Sequence, residues 1–313
     1  MPKVDILMTG AYPEWDMADL EANYNVHRLF EADDKQQLLS KVGSKIRAIA
    51  TRGELGASCE LMGQLPNLEI VSCYGVGTDA IDLAHARGRG VRVTNTPDVL
   101  TEDVADIALG LLLAAARHIP QADAFVRAGQ WGKVAMPLVT RVAGKKIGIA
   151  GMGRIGQAIA RRAEAFGCEI AYFSRGPQPQ VIYRFEPDLV ALAHWSDALI
   201  VIVPGGAATK GIIGEEVLAA LGPKGIFINV SRGSTVDEEA LISSLQSRTI
   251  QSAGLDVFLN EPVIDQRFLA LDNVVLHPHH GSGTIETRKA MGQLVRDNLA
   301  AHFAGMPLPT PVV

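Results

Sequence analysis

The chain has 313 residues, 48% of them hydrophobic and 20% charged, with a formal net charge of −5 at pH 7. That length favours two globular domains over one, with ample apolar material for both cores. The acidic balance argues against general nucleic-acid binding, the longest apolar stretch (107–116) is too short to cross a bilayer, and the opening MPKVDILMTG lacks the apolar region of a signal peptide. Three cysteines, Cys59, Cys73 and Cys168, share no C-x-x-C spacing and read as reduced thiols of a cytoplasmic protein.

In chain order, residues 4–8, 47–51, 68–73 and 91–94 read as strands and 36–42 and 60–65 as helices, an alternation that predicts a small parallel sheet. Between its last two strands lies Tyr74-Gly75-Val76-Gly77-Thr78-Asp79. This is a plain strand-to-helix turn, or one whose N–H groups hold a small anion such as a carboxylate. After Thr96-Pro97-Asp98 a long helix opens at Thr101 and Glu102, with a wide apolar face from Val104 to Ala115 that suits a domain or subunit interface. Residues 118–143 carry Pro120, Trp131 and Pro137 with no sustained period, and read as a loop-like arm that packs on something other than its own sheet.

Residues 145–175 (KKIGIAGMGRIGQAIARRAEAFGCEIAYFSR) run apolar strand, glycine turn, helix and second strand. Gly151, Gly153 and Gly156 supply G-x-G-x-x-G in the context that motif needs: a tight turn, close approach to a pyrophosphate, and close helix–strand packing. The helix start offers unpaired N–H groups and a positive dipole end to a phosphate. An acidic residue about twenty positions on would bond a ribose 2′-OH and indicate NAD. Ser174 and Arg175 stand there instead, which suits a 2′-phosphate and favours NADP(H), with NAD(H) as the alternative.

Further strands at 198–203, 226–230, 252–258 and 273–276 end in Pro204-Gly205-Gly206, Ser231-Arg232-Gly233, Asp256 and His277-Pro278-His279-His280, with helices at 215–221 and 238–246 between them. In open α/β sheets ligands bind beyond the carboxyl ends of the strands, where all these polar residues fall. Arg232 suits bidentate recognition of a carboxylate, or else pairs with a surface acid. His279 offers a proton near neutral pH, and Glu261 lies just past another strand end. Alternation puts His277 and His279 on one strand face and His280 on the other, and without a third converging ligand no metal is expected. A last helix, 284–303, leads back towards the first sheet and makes the first domain discontinuous.

Six motifs in order, YGVGTDAIDL (74–83), NTPDVLTEDVAD (95–106), GKKIGIAGMGRIG (144–156), NVSRGSTVDEEAL (229–241), GLDVFLNEP (254–262) and HPHHGSGTIETR (277–288), resemble the D-isomer-specific 2-hydroxyacid dehydrogenase family over essentially the whole chain. YFSR and the ending HFAGMPLPTPVV are most similar to its NADPH-preferring glyoxylate/hydroxypyruvate and hydroxyphenylpyruvate reductase branch. The resemblance implies an α/β fold of two Rossmann-like, doubly wound parallel-sheet domains. A cofactor domain (99–284) would be inserted in a substrate domain (1–98 and 285–313). It implies NADPH-dependent reduction of a small 2-keto acid, and the apolar helix 101–117 with the Trp131 arm suggests a homodimer. The alternatives are NAD-dependent oxidation of a D-2-hydroxy acid, and a corepressor-like dinucleotide sensor, against which the joint presence of Arg232, Glu261 and His279 argues. Arg232 would bind the substrate carboxylate, together with the backbone of Val76 and Gly77. His279 would protonate the carbonyl oxygen, with Glu261 holding it protonated and oriented. Gly151, Met152, Gly153, Arg154, Ile155 and Gly156 would hold the pyrophosphate, and Ser174 and Arg175 the 2′-phosphate. Val230, Ser231 and Arg232 would line the nicotinamide side, with Asp256 at its carboxamide. Thr209 is the cofactor contact expected in the loop after residue 203, where the sequence departs from the family's leucine-threonine-proline-like run. His280 is a second departure, standing where an apolar residue is common.

Overall fold

The structure, a computed structural model, describes residues 3–313 and divides into two α/β units. One unit runs to Leu100 and regains Ser282–Val313; the other is Thr101–Gly281. The sequence reading puts these boundaries at 98/99 and 284/285.

The first unit follows the order β1 (Val4–Met8), α1 (Glu14–Asn23), β2 (Tyr24–Arg28), α2 (Lys35–Val42), β3 (Ile46–Arg52), α3 (Cys59–Gly63), β4 (Ile70–Tyr74), α4 (Leu83–Gly88) and β5 (Arg92–Thr94). Its five strands are parallel in the order β2-β1-β3-β4-β5, with Ile6 of β1 in register with Val26 of β2 and Ala48 of β3. The central strands are apolar runs because helices cover both faces; every residue of β4 is buried. Neither α1 nor β2 is anticipated from the sequence. α1 buries only Asp16, Met17 and Leu20, too few for an apolar stripe, and β2 is an edge strand with no fully buried residue.

The second unit holds α5 (Thr101–Arg117), α6 (Ile119–Arg127), β6 (Lys146–Ala150), α7 (Arg154–Ala165), β7 (Glu169–Phe173), β8 (Arg184–Phe185), α8 (Leu189–Trp195), β9 (Ala198–Val201), α9 (Glu215–Leu221), β10 (Ile226–Asn229), α10 (Glu238–Gln246), β11 (Ser252–Leu255) and β12 (Val274–Leu276). Its seven strands are parallel in the order β12-β11-β10-β9-β6-β7-β8, so the winding reverses between β6 and β9. α11 (Ile285–Phe303) belongs to the first unit: Tyr74 Oη donates to the Arg288 carbonyl, and the chain end pairs beside β5 through Val312 N to Val93 O.

Two expectations for residues 101–143 are corrected. The apolar face of α5 is taken up inside its own unit, against α7, β10 and β11. Gly254 of β11 makes room, since a Cβ there would lie 2.9 Å from Leu111 Cβ. The loop-like arm begins with a helix, α6; Pro120 sits in its first turn, where a missing N–H costs no hydrogen bond. No residue of α6 is buried, so it lacks the periodic burial by which a helix is read from sequence.

Candidate active site

The glycine turn joins β6 to α7 at the point where the strand order reverses, the position at which open sheets bind ligands. Gly151 has φ +109°, and a Cβ on it would meet the Ile202 carbonyl oxygen at 2.6 Å. A Cβ on Gly156 would lie 2.1 Å from the Gly151 oxygen, so this glycine lets α7 close on the turn. Gly153 differs: a Cβ there would meet no protein atom within 4 Å, and the residue caps α7 without any side-chain acceptor. An open cradle in front of uncapped helix N–H groups fits a dinucleotide pyrophosphate. Met152 is buried beneath the turn, Ile155 is half-buried and Arg154 is exposed.

At the end of β7, Ser174 Oγ donates to the Gly176 carbonyl at 2.6 Å and Arg175 is exposed. In the loop after β9, Thr209 Oγ1 donates to the Pro204 carbonyl at 2.6 Å, so its proton is spent inside the loop and only its lone pairs remain for a ligand. Val230 is tied by its N–H to the Val201 carbonyl.

The Ser231–Arg232 turn is organised by Asn229, a buried residue at the end of β10. Its Oδ1 accepts from Ser231 N (3.0 Å) and Ser231 Oγ (2.8 Å), while its Nδ2 donates to the Arg232 carbonyl. Arg232 Nη1 donates to the Ser231 carbonyl. Gly233 then lets this turn lie directly on the next loop, for a Cβ there would be 2.0 Å from the carbonyl carbon and oxygen of Phe258. That contact sets the Arg232 turn beside the loop carrying Glu261.

Glu261 Oε2 lies 2.5 Å from His279 Nδ1, and its Oε1 accepts from Phe258 N at 2.8 Å. Burial pushes the Glu261 carboxyl up. The bond to His279, the charges of His279 and Arg232, and the Phe258 N–H outweigh it and hold the group below the usual carboxylate range. Opposite an ionised carboxylate Nδ1 is the donor, which leaves Nε2 as the ring atom free to act. His279 has φ +48°, an uncommon backbone for a residue with a side chain, and its N–H donates to the Asp256 carbonyl at 2.8 Å. Arg232, Glu261 and His279 thus converge in one unit, at the carboxyl ends of β10, β11 and β12.

The sequence profile of the D-isomer specific 2-hydroxyacid dehydrogenase NAD-binding domain matches residues 109–281, more than half of the chain. The chain belongs to this dehydrogenase family. It is 47% identical to glyoxylate/hydroxypyruvate reductase A of Arabidopsis thaliana over the full length of both chains. A solved 2-hydroxyacid dehydrogenase from Ketogulonicigenium vulgare Y25 superposes with a TM-score of 0.93 at 54% identity, over 100% of this chain and 99% of that one. The NADPH-dependent glyoxylate/hydroxypyruvate reductase of Sinorhizobium meliloti, solved with NADP and malonate, gives 0.92 at 44% identity, over 100% and 97%.

In this dehydrogenase β12 stops at Leu276, so strand alternation does not govern the histidines after it. His277 Nδ1 meets Asp256 Oδ1 at 2.6 Å, His279 turns to Glu261, and the rings of His277 and His280 lie 6.3 Å apart instead of on opposite faces. Among the described residues no three His, Cys, Asp or Glu side chains are grouped to hold a metal ion. Asp256 is buried, and its carboxylate takes three donors: His277 Nδ1, His280 N (2.8 Å) and Gly281 N (3.0 Å). A carboxylate offers about four acceptor sites, so roughly one is left for a ligand. Val76 and Gly77 belong to the other unit of the dehydrogenase, after β4, and their N–H groups donate to no carbonyl among the described residues. Asn95 Nδ2 fixes that turn through the Val76 carbonyl. The NVSRGSTVDEEAL motif contains Asn229 and Gly233, but their parts in shaping the Arg232 turn are visible only in the structure.

Proposed function

We propose that this dehydrogenase reduces a small 2-keto acid, of the glyoxylate or hydroxypyruvate type, to the D-2-hydroxy acid with NADPH. The observation that carries the reading is the 2.5 Å bond between His279 Nδ1 and Glu261, in the field of Arg232 and on the same sheet as a dinucleotide cradle. The Arg232 guanidinium pairs with the substrate carboxylate and orients the carbonyl. The Val76 and Gly77 amides, which donate to no carbonyl among the described residues, are further donors to a carboxylate. Glu261 fixes the imidazole and its Nδ1 proton, so that Nε2 delivers a proton to the carbonyl oxygen. The cofactor, when bound, supplies the hydride. Gly151 to Gly156 hold its pyrophosphate. Val230, Ser231 and Asp256 line the nicotinamide side, with Thr209 accepting from the ribose side.

Ser174 and Arg175 support NADPH over NADH: a hydroxyl and an exposed guanidinium end β7, with no acid in the SRGPQ that follows Phe173. The Sinorhizobium meliloti relative, NADPH-dependent and solved with NADP, supports the same choice. Residues of the arm leave Ile119, Val126, Trp131, Val134 and Leu138 exposed, an apolar set suited to a second copy of the chain. We therefore propose a homodimer, for which light scattering is the test. Three free cysteines, two of them buried, accord with a reducing cytoplasmic location. Among the described residues no helix is long and apolar enough to cross a membrane.

The deciding experiment measures turnover of glyoxylate, hydroxypyruvate and 4-hydroxyphenylpyruvate with NADPH and with NADH. The expected result is keto-acid reduction with kcat/KM higher for NADPH. Absence of turnover on the whole panel would overturn the reading, and a cofactor ratio below one would overturn the NADPH assignment.

A further inference from the structure

Beside the His279–Glu261 pair stands a second histidine–carboxylate pair, whose histidine has no part in the proposed reaction. His277 Nδ1 lies 2.6 Å from Asp256 Oδ1, with the carboxylate nearly enclosed and the imidazole partly exposed. The same Asp256 oxygen accepts the His280 N–H, its other oxygen accepts the Gly281 N–H, and its own carbonyl accepts the His279 N–H. One residue of the β11 end therefore holds the backbone on both sides of His279. Among the described residues the side-chain partner of the carboxylate is His277. Gly281 belongs to the arrangement, because a Cβ there would approach Asp256 Oδ2 to 2.7 Å.

The segment from His277 to Gly281 has no strand pairing of its own beyond the His277 N–H to Leu255. Within it His279 is held at φ +48°, a conformation that a residue with a side chain keeps only when its surroundings impose it. The two N–H bonds on its C-terminal side both end on the Asp256 carboxylate, which also takes the bond from His277.

We propose that His277 is a positioning residue for the proton donor. Its Nδ1–H locks the Asp256 carboxylate, and the locked carboxylate holds the left-handed turn that aims His279 at Glu261. The inference rests on the reading of His279 as the donor, but it concerns the turn, which is observable without turnover.

Two variants of the whole enzyme test it. His277→Phe keeps a planar ring and loses the donor; His277→Asn puts an amide N–H near the place of Nδ1. With glyoxylate and NADPH, His277→Phe should lower kcat by about 10–100-fold, the scale set by an ångström-level misplacement of a reacting group. His277→Asn should recover most of the loss. In proton NMR, the low-field imidazole proton of the short His279–Glu261 bond, assigned by its absence in Glu261→Gln, should vanish in His277→Phe and return in His277→Asn. Wild-type kcat together with an unshifted low-field proton in His277→Phe would overturn the inference. Were the wild-type enzyme inactive on every keto acid, the proposed reaction would fail while the NMR comparison still decided the role of His277.

Discussion

Gly233→Ala probes the contact that sets Arg232 beside Glu261. The added Cβ would lie 2.0 Å from the Phe258 carbonyl carbon and oxygen and 2.4 Å from Leu259 N, all backbone atoms without a rotamer to yield. Ordinary contact begins at 3.4 Å, so the two loops must part by the difference, about 1.4 Å. Overpacking of this kind costs about 1–3 kcal/mol. At about 2–4 °C per kcal/mol for a unit of this size, Tm should fall by roughly 2–12 °C. The catalytic loss should be larger than the loss of stability suggests. An ångström between Arg232 and the His279–Glu261 pair separates the group that orients the carbonyl from the group that protonates it, which costs ~10²-fold. Steady-state kinetics on glyoxylate with NADPH, beside calorimetry of the same preparation, reads both effects. A variant with wild-type kcat and wild-type Tm would refute the reasoning, because it would mean that the Phe258–Leu259 peptide moves aside freely.

Gly153→Ala is the counterpart: its Cβ meets no protein atom within 4 Å, so Tm should hold while KM for NADPH rises, and a fall in Tm with unchanged KM would contradict the cradle. His279→Ala should lower reductive kcat by roughly 10²–10⁴-fold, and a loss under about tenfold would argue against its being the acid. Arg232→Lys keeps the charge and loses the fork, so keto-acid KM should rise and kcat fall, together costing about 10–100-fold in kcat/KM. Because the Glu261 carboxyl is held below its ordinary value of 4.5, it stays ionised at and somewhat below that pH. The His279–Glu261 bond should then contribute fully above pH 4.5 and be lost only as pH falls through the lowered value. A wild-type acid limb of kcat/KM that belongs to Glu261, being absent from Glu261→Gln, and centred above 4.5 would contradict that direction.

Much of the fold could be read from residue patterns, and the reason is physical. Parallel strands covered on both faces must be apolar throughout, so β4, β6, β9 and β10 announce themselves as short runs. Elements that bury little announce nothing. α6 has no buried residue, α1 has three, and β2 runs along an edge. Pro120 misled in the same region, since a proline reads as a break whether it stands before a helix or in its first turn.

The sequence by itself determined the chemistry available: three glycines between a strand and a helix, no acid after β7, and an arginine, a glutamate and a histidine near strand ends. These follow from local rules, because a tight turn or an exposed strand end constrains the few residues that form it. Only the tertiary structure decided which groups meet. Glu261 and His279 are eighteen positions apart and 2.5 Å from each other because β11 and β12 pair in parallel and end together. Arg232 joins them because Gly233 has no side chain to keep two backbones apart. His277 shows the limit most sharply. Strand periodicity put it on the face of His279, but β12 ends one residue earlier, and beyond a strand's end a side chain's direction is set by its partner, here Asp256.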